Sequence, residues 1–121
     1  MKNMTIKERG RMMKKLLTVS ILVMAACLIV IFAYANDMKE ETMGKQLFNE
    51  HCVVCHPDGG NIINPEKTLH KKELNEHKLT RADDIVALMR NPGPGMTSFD
   101  KETIPDEFAE KIARYILDTF K

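Results

Sequence analysis

A small all-α fold is predicted for this chain of 121 residues, and three observations carry the prediction. No segment alternates apolar and polar residues at strand period. Apolar residues recur at three- and four-residue steps in several separate segments. Clusters of glycine and proline fall between those segments, where they punctuate rather than interrupt.

Residues 1–35 read as an export element. Lys2, Lys7, Arg9, Arg11, Lys14 and Lys15 stand against one acid, Glu8; a charge-free apolar run follows from Leu16 to Phe32, and Ala33-Tyr34-Ala35 precedes Asn36. This order of basic region, apolar stretch and A-x-A site is that of a secretory signal peptide, which leaves residues 36–121 as the folded domain. The 17-residue run exceeds the ~7–15 of a usual signal core and approaches the ~17–25 that cross a bilayer, so retention of residues 16–35 as an inner-membrane anchor is a second expectation. Met24-Ala25-Ala26-Cys27 loosely resembles a lipoprotein cleavage box and opens a third, lipidation on Cys27. The apolar stretch from Leu28 to Phe32 argues against that, since it would have to leave the membrane. All three expectations place the domain outside the reducing cytosol, most simply in a periplasm.

The exported part has 86 residues, enough for one small domain. A chain of that size buries only about 60–65% of its unfolded surface, so a supplement to the core is expected. Removing the six basic residues and one acid of the leader from the chain's 18 and 17 leaves 12 against 16, a net charge of −4. An acidic domain speaks against nucleic acid, which calls for a basic face.

A first helix is predicted from about Asp37 to His51, with Met43, Leu47 and Phe48 on one face. Gly44 lies on the same side. A helical glycine costs about 1 kcal/mol relative to alanine, so another element is expected to approach closely there.

That helix leads into Cys52-Val53-Val54-Cys55-His56, and C-x-x-C-H is the attachment signature of a c-type haem. The two thiols add across porphyrin vinyl groups as thioethers, and the adjacent imidazole binds the iron. On a helical turn the two-residue gap brings both sulfurs to one side. A redox dithiol would want a βαβ pattern, which the chain lacks. A zinc site would lack a second ligand pair, because no cysteine follows Cys55 and structural zinc takes four closed ligands. One covalent haem c per chain is therefore the cofactor expected, and it also serves as the core supplement.

Residues Asp58 to Pro65 read as loop, with Gly59-Gly60 and Pro65 as punctuation, and a short helix is predicted from Lys67 to His77. Thr80 with Asp83 three positions on resembles a capping box for a third helix, in which Ile85, Leu88 and Met89 recur at helical spacing up to Arg90. Pro92 and Pro94 stop it. A last helix begins near Pro105, with Asp106 and Glu107 favourably placed against its dipole and Phe108, Ile112, Tyr115 and Ile116 as its apolar stripe.

Haem iron held by one histidine keeps a distal position, whose occupant separates electron transfer from gas binding or catalysis. Met96 is the leading candidate, because Asn91-Pro92-Gly93-Pro94-Gly95-Met96 is a stiff, tightly turning segment 40 residues beyond His56. Met89 reads as core. Met38 and Met43 precede the haem motif on its own helix and are awkwardly placed. His70 and His77 remain alternative ligands, although histidines in a lysine- and glutamate-rich stretch are usually solvated, as is His51. An open site is the third alternative.

These residues together resemble a class I monohaem cytochrome c over about Met43 to Phe120. Gly44-Lys45-Gln46-Leu47-Phe48 resembles the family's first helix, while Gly59-Gly60-Asn61 and Glu66-Lys67-Thr68-Leu69 look like the loop and second helix of the c-six subgroup of algae and cyanobacteria. The turn from Asn91 to Met96, followed by Phe99, is similar to monohaem cytochromes of metal-reducing bacteria. The resemblance implies about four short helices around one haem, with thioethers at Cys52 and Cys55, proximal His56 and distal Met96. It also implies a crossing of the first and last helices in which Gly44 and Phe48 meet Tyr115. A backbone carbonyl within Asn61 to Pro65 would orient the His56 ring, and Lys67 and Thr68 would contact the propionates. The chain has no tryptophan and departs from the photosynthetic members before Met96, which counts against a photosystem partner.

The function expected is one-electron transfer without chemistry of its own, between transient redox partners met in small wet contacts. The net acidity suggests basic docking sites. Two rivals stand beside it: a haem subunit anchored in a larger respiratory complex, and a small haem sensor or peroxidase whose Met96 dissociates.

Overall fold

The computed structural model describes residues 5–121, and Lys2 of the basic region lies outside the described residues. Four α-helices follow one another: α1 (Ile6–His51), α2 (Lys71–Glu76), α3 (Ala82–Arg90) and α4 (Asp106–Thr119), with a 3-10 turn at Pro57–Gly59. No strand occurs among the described residues, as the absence of alternation predicts.

The chain divides into two compact units, Met1–Asp37 and Met38–Lys121. In the first, the large apolar side chains from Leu16 to Phe32 are exposed all round the helix, which is long and apolar enough to cross a membrane. A helix apolar on every side has no soluble face. The first helix was expected to start near Asp37 and instead runs without a break from Ile6, because nothing between Ala33 and Met38 is a helix breaker.

The second unit has its core in Leu47, Phe48, Leu74, Ile85, Met89, Ile104, Ala109, Ile112, Ala113 and Ile116. The stripe of α4 is shifted from the one expected. Ala109, Ile112, Ala113 and Ile116 face inward at helical steps, Tyr115 packs at the margin, and Phe108 is exposed. Small alanines there allow close packing of α3 on α4.

Gly44 marks the crossing of α1 and α4. A Cβ at this position would lie 2.5 Å from the Lys111 carbonyl oxygen and 2.9 Å from Tyr115 Cβ, so only hydrogen fits. Phe48 meets Tyr115 at a ring-centroid distance of 5.4 Å one turn on, as expected from the resemblance. Lys111 closes the same crossing with Nζ donating to Glu40 Oε1 at 2.8 Å and Glu107 Oε1 at 2.9 Å. Gly44→Val is expected to cost about 1–3 kcal/mol by overpacking, lowering the melting temperature by roughly 5–15 °C. An unchanged or raised melting temperature in calorimetry would contradict this crossing.

Two helix starts differ from expectation for local reasons. The second helix begins at Lys71, not Lys67, because the amides there are spent on other bonds: Leu69 N donates to Gly59 O (2.7 Å) and Lys71 N to Phe120 O (3.0 Å), while His70 N donates locally to Thr68 Oγ1 (3.3 Å). The cap of α3 comes from Asp84 rather than Asp83. Its Oδ2 accepts from Thr80 N (3.2 Å) and Arg81 N (2.9 Å), while Asp83 turns outward to pair with Arg81.

Candidate functional site

Helical hydrogen bonding continues one turn past α1 and builds the cysteine motif. Cys52 N donates to Phe48 O (2.8 Å), Cys55 N to Cys52 O (3.1 Å) and His56 N to Cys52 O (2.9 Å). Cys52 is half-buried against the core, Cys55 is exposed, and His56 is buried. Burial, and secondarily the neighbouring Cys55, pushes the Cys52 thiol up to about 11, so it rests as a neutral thiol.

The ring of His56 is fixed by one bond: Nδ1 lies 2.8 Å from Gly60 O. A carbonyl only accepts, so Nδ1 carries the proton and Nε2 is the nitrogen available to a metal. The orienting carbonyl was expected within Asn61 to Pro65 and lies one residue earlier. A tight turn is the reason: Asp58 (φ 52°) and Gly59 (φ 76°) take left-handed conformations, and Gly60 N donates back to Pro57 O at 2.8 Å. Gly59 is required there twice over, since a Cβ would also fall 2.5 Å from the Phe120 ring.

Asn61, read in the sequence only as part of the Gly59-Gly60-Asn61 loop, organises the loop that follows through its side chain. Its Oδ1 accepts from Ile63 N (3.0 Å) and Asn64 N (2.9 Å), while Nδ2 donates to Lys67 O (2.8 Å). An asparagine directly after Gly-Gly was the available signal, as asparagine side chains close such turns.

The segment from Asn91 to Phe99 carries Met96, half-buried and packed on the core. Gly95 takes φ 95°, and a Cβ there would press on Ile63 Cγ2 at 3.1 Å. The turn thus sits against the loop that follows His56.

Cys52, Cys55, His56 and Met96 all line one cavity of ≈ 410 Å³. That volume lies within the ~300–1,000 Å³ usual for small-molecule sites. Leu69, Leu79, Ile85, Leu88, Met89 and Ile116 supply an apolar wall. Of the histidines, His77 is exposed at the cavity edge, whereas His70 packs edge-on against Phe120 at 6.2 Å and stays outside. His51, expected to be solvated, is half-buried, lines the cavity and stands edge-on to Phe99 at 6.4 Å. Lys67 and Thr68 also line it, but the Thr68 hydroxyl donates to Glu73 Oε2 at 3.0 Å. That leaves Lys67 as the better partner for an anionic group.

The residues present fit a covalent haem. Two thiols, a buried imidazole with its tautomer fixed, a thioether and an apolar wall converge on one cavity, and no cluster of three or more His, Cys, Asp or Glu suited to a bare metal ion occurs among the described residues.

Comparison with known proteins agrees. The sequence family described as cytochrome c oxidase, cbb3-type, subunit III matches residues 39–116. Cytochrome c6 of Cyanidioschyzon merolae is 34% identical over 105 residues, covering 87% of this chain and 93% of that protein. Cytochrome c6 of Rippkaea orientalis is 34% identical over 107 residues, with 87% and 93% covered. Among solved structures, the outer-membrane cytochrome F of Geobacter sulfurreducens superposes with a TM-score of 0.63 at 42% identity, covering 64% of this chain and 99% of that one.

Proposed function

The chain belongs to the small cytochrome c family that includes cytochrome c6, whose members carry covalent haem c and transfer single electrons, and on that premise we propose a His/Met-ligated one-electron carrier. The observation that carries the reading is the convergence of Cys52, Cys55, His56 and Met96 on one cavity, with His56 Nδ1 held by Gly60 O.

When bound, haem supplies a reversible one-electron iron couple. The chain's own residues would hold it: Cys52 and Cys55 as thioethers, His56 through Nε2 and Met96 through its sulfur. The bond to Gly60 raises the basicity of the His56 ring and fixes its angle. The apolar wall excludes water, which would keep reorganisation small. Lys67 stands at the rim to meet a propionate.

A redox titration of the holoprotein tests this. One reversible one-electron wave is expected, with no turnover of peroxide. Catalytic current with peroxide would instead favour the sensor or peroxidase rival. Partners are transient redox proteins, and the domain's net charge of −4 favours basic docking faces.

Residues 1–35 direct export, and the A-x-A site makes Asn36 the expected first residue of the mature protein in the periplasm. A retained anchor is the second reading, compatible with an apolar helical stretch long enough to cross a membrane. The intact mass of the exported protein separates them. A chain beginning at Asn36 supports cleavage, a full-length chain that resists salt extraction supports the anchor, and an acyl mass on Cys27 supports lipidation.

A further inference from the structure

We infer that Arg90 is the positioning residue for the distal ligand, holding both ends of the turn that carries Met96. This inference rests on Met96 being that ligand. The turn from Asn91 to Phe99 has little internal support: one backbone bond, Met96 N to Gly93 O, at a long 3.5 Å. Its stiffness comes from prolines and from its ends. Four bonds tie its far end, and three of them involve Arg90. The guanidinium Nη1 donates to Phe99 O and Asp100 O, both at 3.0 Å, and the Arg90 carbonyl accepts from Ser98 Oγ at 2.8 Å. The fourth is Phe99 N to Met89 O at 3.0 Å, one residue away.

The same guanidinium reaches the start of α4, where Nη2 donates to Asp106 Oδ1 at 2.8 Å and Lys101 Nζ steadies the other oxygen at 2.7 Å. Arg90 therefore locks the end of α3, the end of the turn and the start of α4 into one frame. Its side chain is only 19% exposed, and its Nε is buried without a partner among the described residues. Such desolvation is unfavourable in itself. The geometry calls for a planar fork, with Nη1 on the two carbonyls and Nη2 on Asp106; a lysine would retain the charge but has one nitrogen for both sides.

The consequence lies with Met96. A turn released at Phe99 and Asp100 lets the sulfur leave the iron more often, and an external ligand captures the iron in proportion to that open fraction.

The test uses full-chain holoprotein carrying Arg90→Lys, Arg90→Ala, Ser98→Ala and, as a core-destabilised control away from the cavity, Ile112→Val. Carbon monoxide capture by the reduced protein, the methionine band of the oxidised spectrum and amide exchange at Phe99 are read together. Arg90→Ala is expected to raise carbon monoxide capture about tenfold or more. Arg90→Lys falls between it and the parent, Ser98→Ala shows a smaller rise, and Ile112→Val shows none. Unchanged capture in both Arg90 variants, with the parent band present and lost in Met96→Ala, overturns the positioning role while leaving Met96 as ligand. A band that is missing from the parent, or that survives Met96→Ala, overturns the ligand assignment and the inference with it.

Discussion

A Cys52→Ala/Cys55→Ala chain is expected to be exported without covalent haem and to fail to reach the compact fold. The reason is the size of the site relative to the size of the domain. Without haem an apolar-lined pocket of ≈ 410 Å³ is left unfilled, and the side chains around it lose their packing partner. A domain of this length has only about 4–13 kcal/mol of stability in all. The ten buried apolar residues of the second unit cannot offset such a loss, since several of them form the cavity wall itself. Haem staining after denaturing electrophoresis and far-ultraviolet circular dichroism check this. The parent retains haem under denaturation and is helical, whereas the double variant loses both. Haem that stays with the denatured double variant would refute the thioether assignment.

Met96→Ala carries the second large effect. Methionine stabilises the reduced iron relative to ligands such as water, so its loss is expected to lower the reduction potential by on the order of 0.1 V or more. The fold itself changes less. Met96 is half-buried at the edge of the core, and the turn around it is tied by Arg90, Ser98 and Phe99 rather than by the sulfur. The variant should therefore keep its haem, remain helical and bind carbon monoxide rapidly when reduced. Substituting His77, which also lines the cavity, should leave the potential near that of the parent. A large fall in potential from His77→Ala together with little change from Met96→Ala would exchange the two roles.

The helices were legible because their signals are local. Leu47 and Phe48 share the face that Gly44 leaves open, Pro92 ends α3, and Pro105 starts α4. C-x-x-C-H was legible because thioether chemistry fixes both the residue types and their spacing. Most of what escaped depends on bonds between distant parts of the chain. Lys67 to His70 look helical in isolation, yet Gly59 O and Phe120 O claim the amides of Leu69 and Lys71. Phe108 has the right spacing for the core, but the alanines at 109 and 113 let α3 approach on the neighbouring line. Gly60 O orients His56 because Asp58 and Gly59 turn left-handed together, and no residue-type rule fixes which carbonyl such a turn presents. Arg90 read as the last residue of a helix; its role came from Phe99, Asp100 and Asp106.

We propose that one iron is held by His56 and Met96. The oxidised absorbance spectrum tests it most directly, through the weak band near the red edge that reports a methionine sulfur on ferric haem. The parent holoprotein is expected to show this band, Met96→Ala to abolish it and Met89→Leu to retain it. A band that persists in Met96→Ala, or a parent without one, would contradict it.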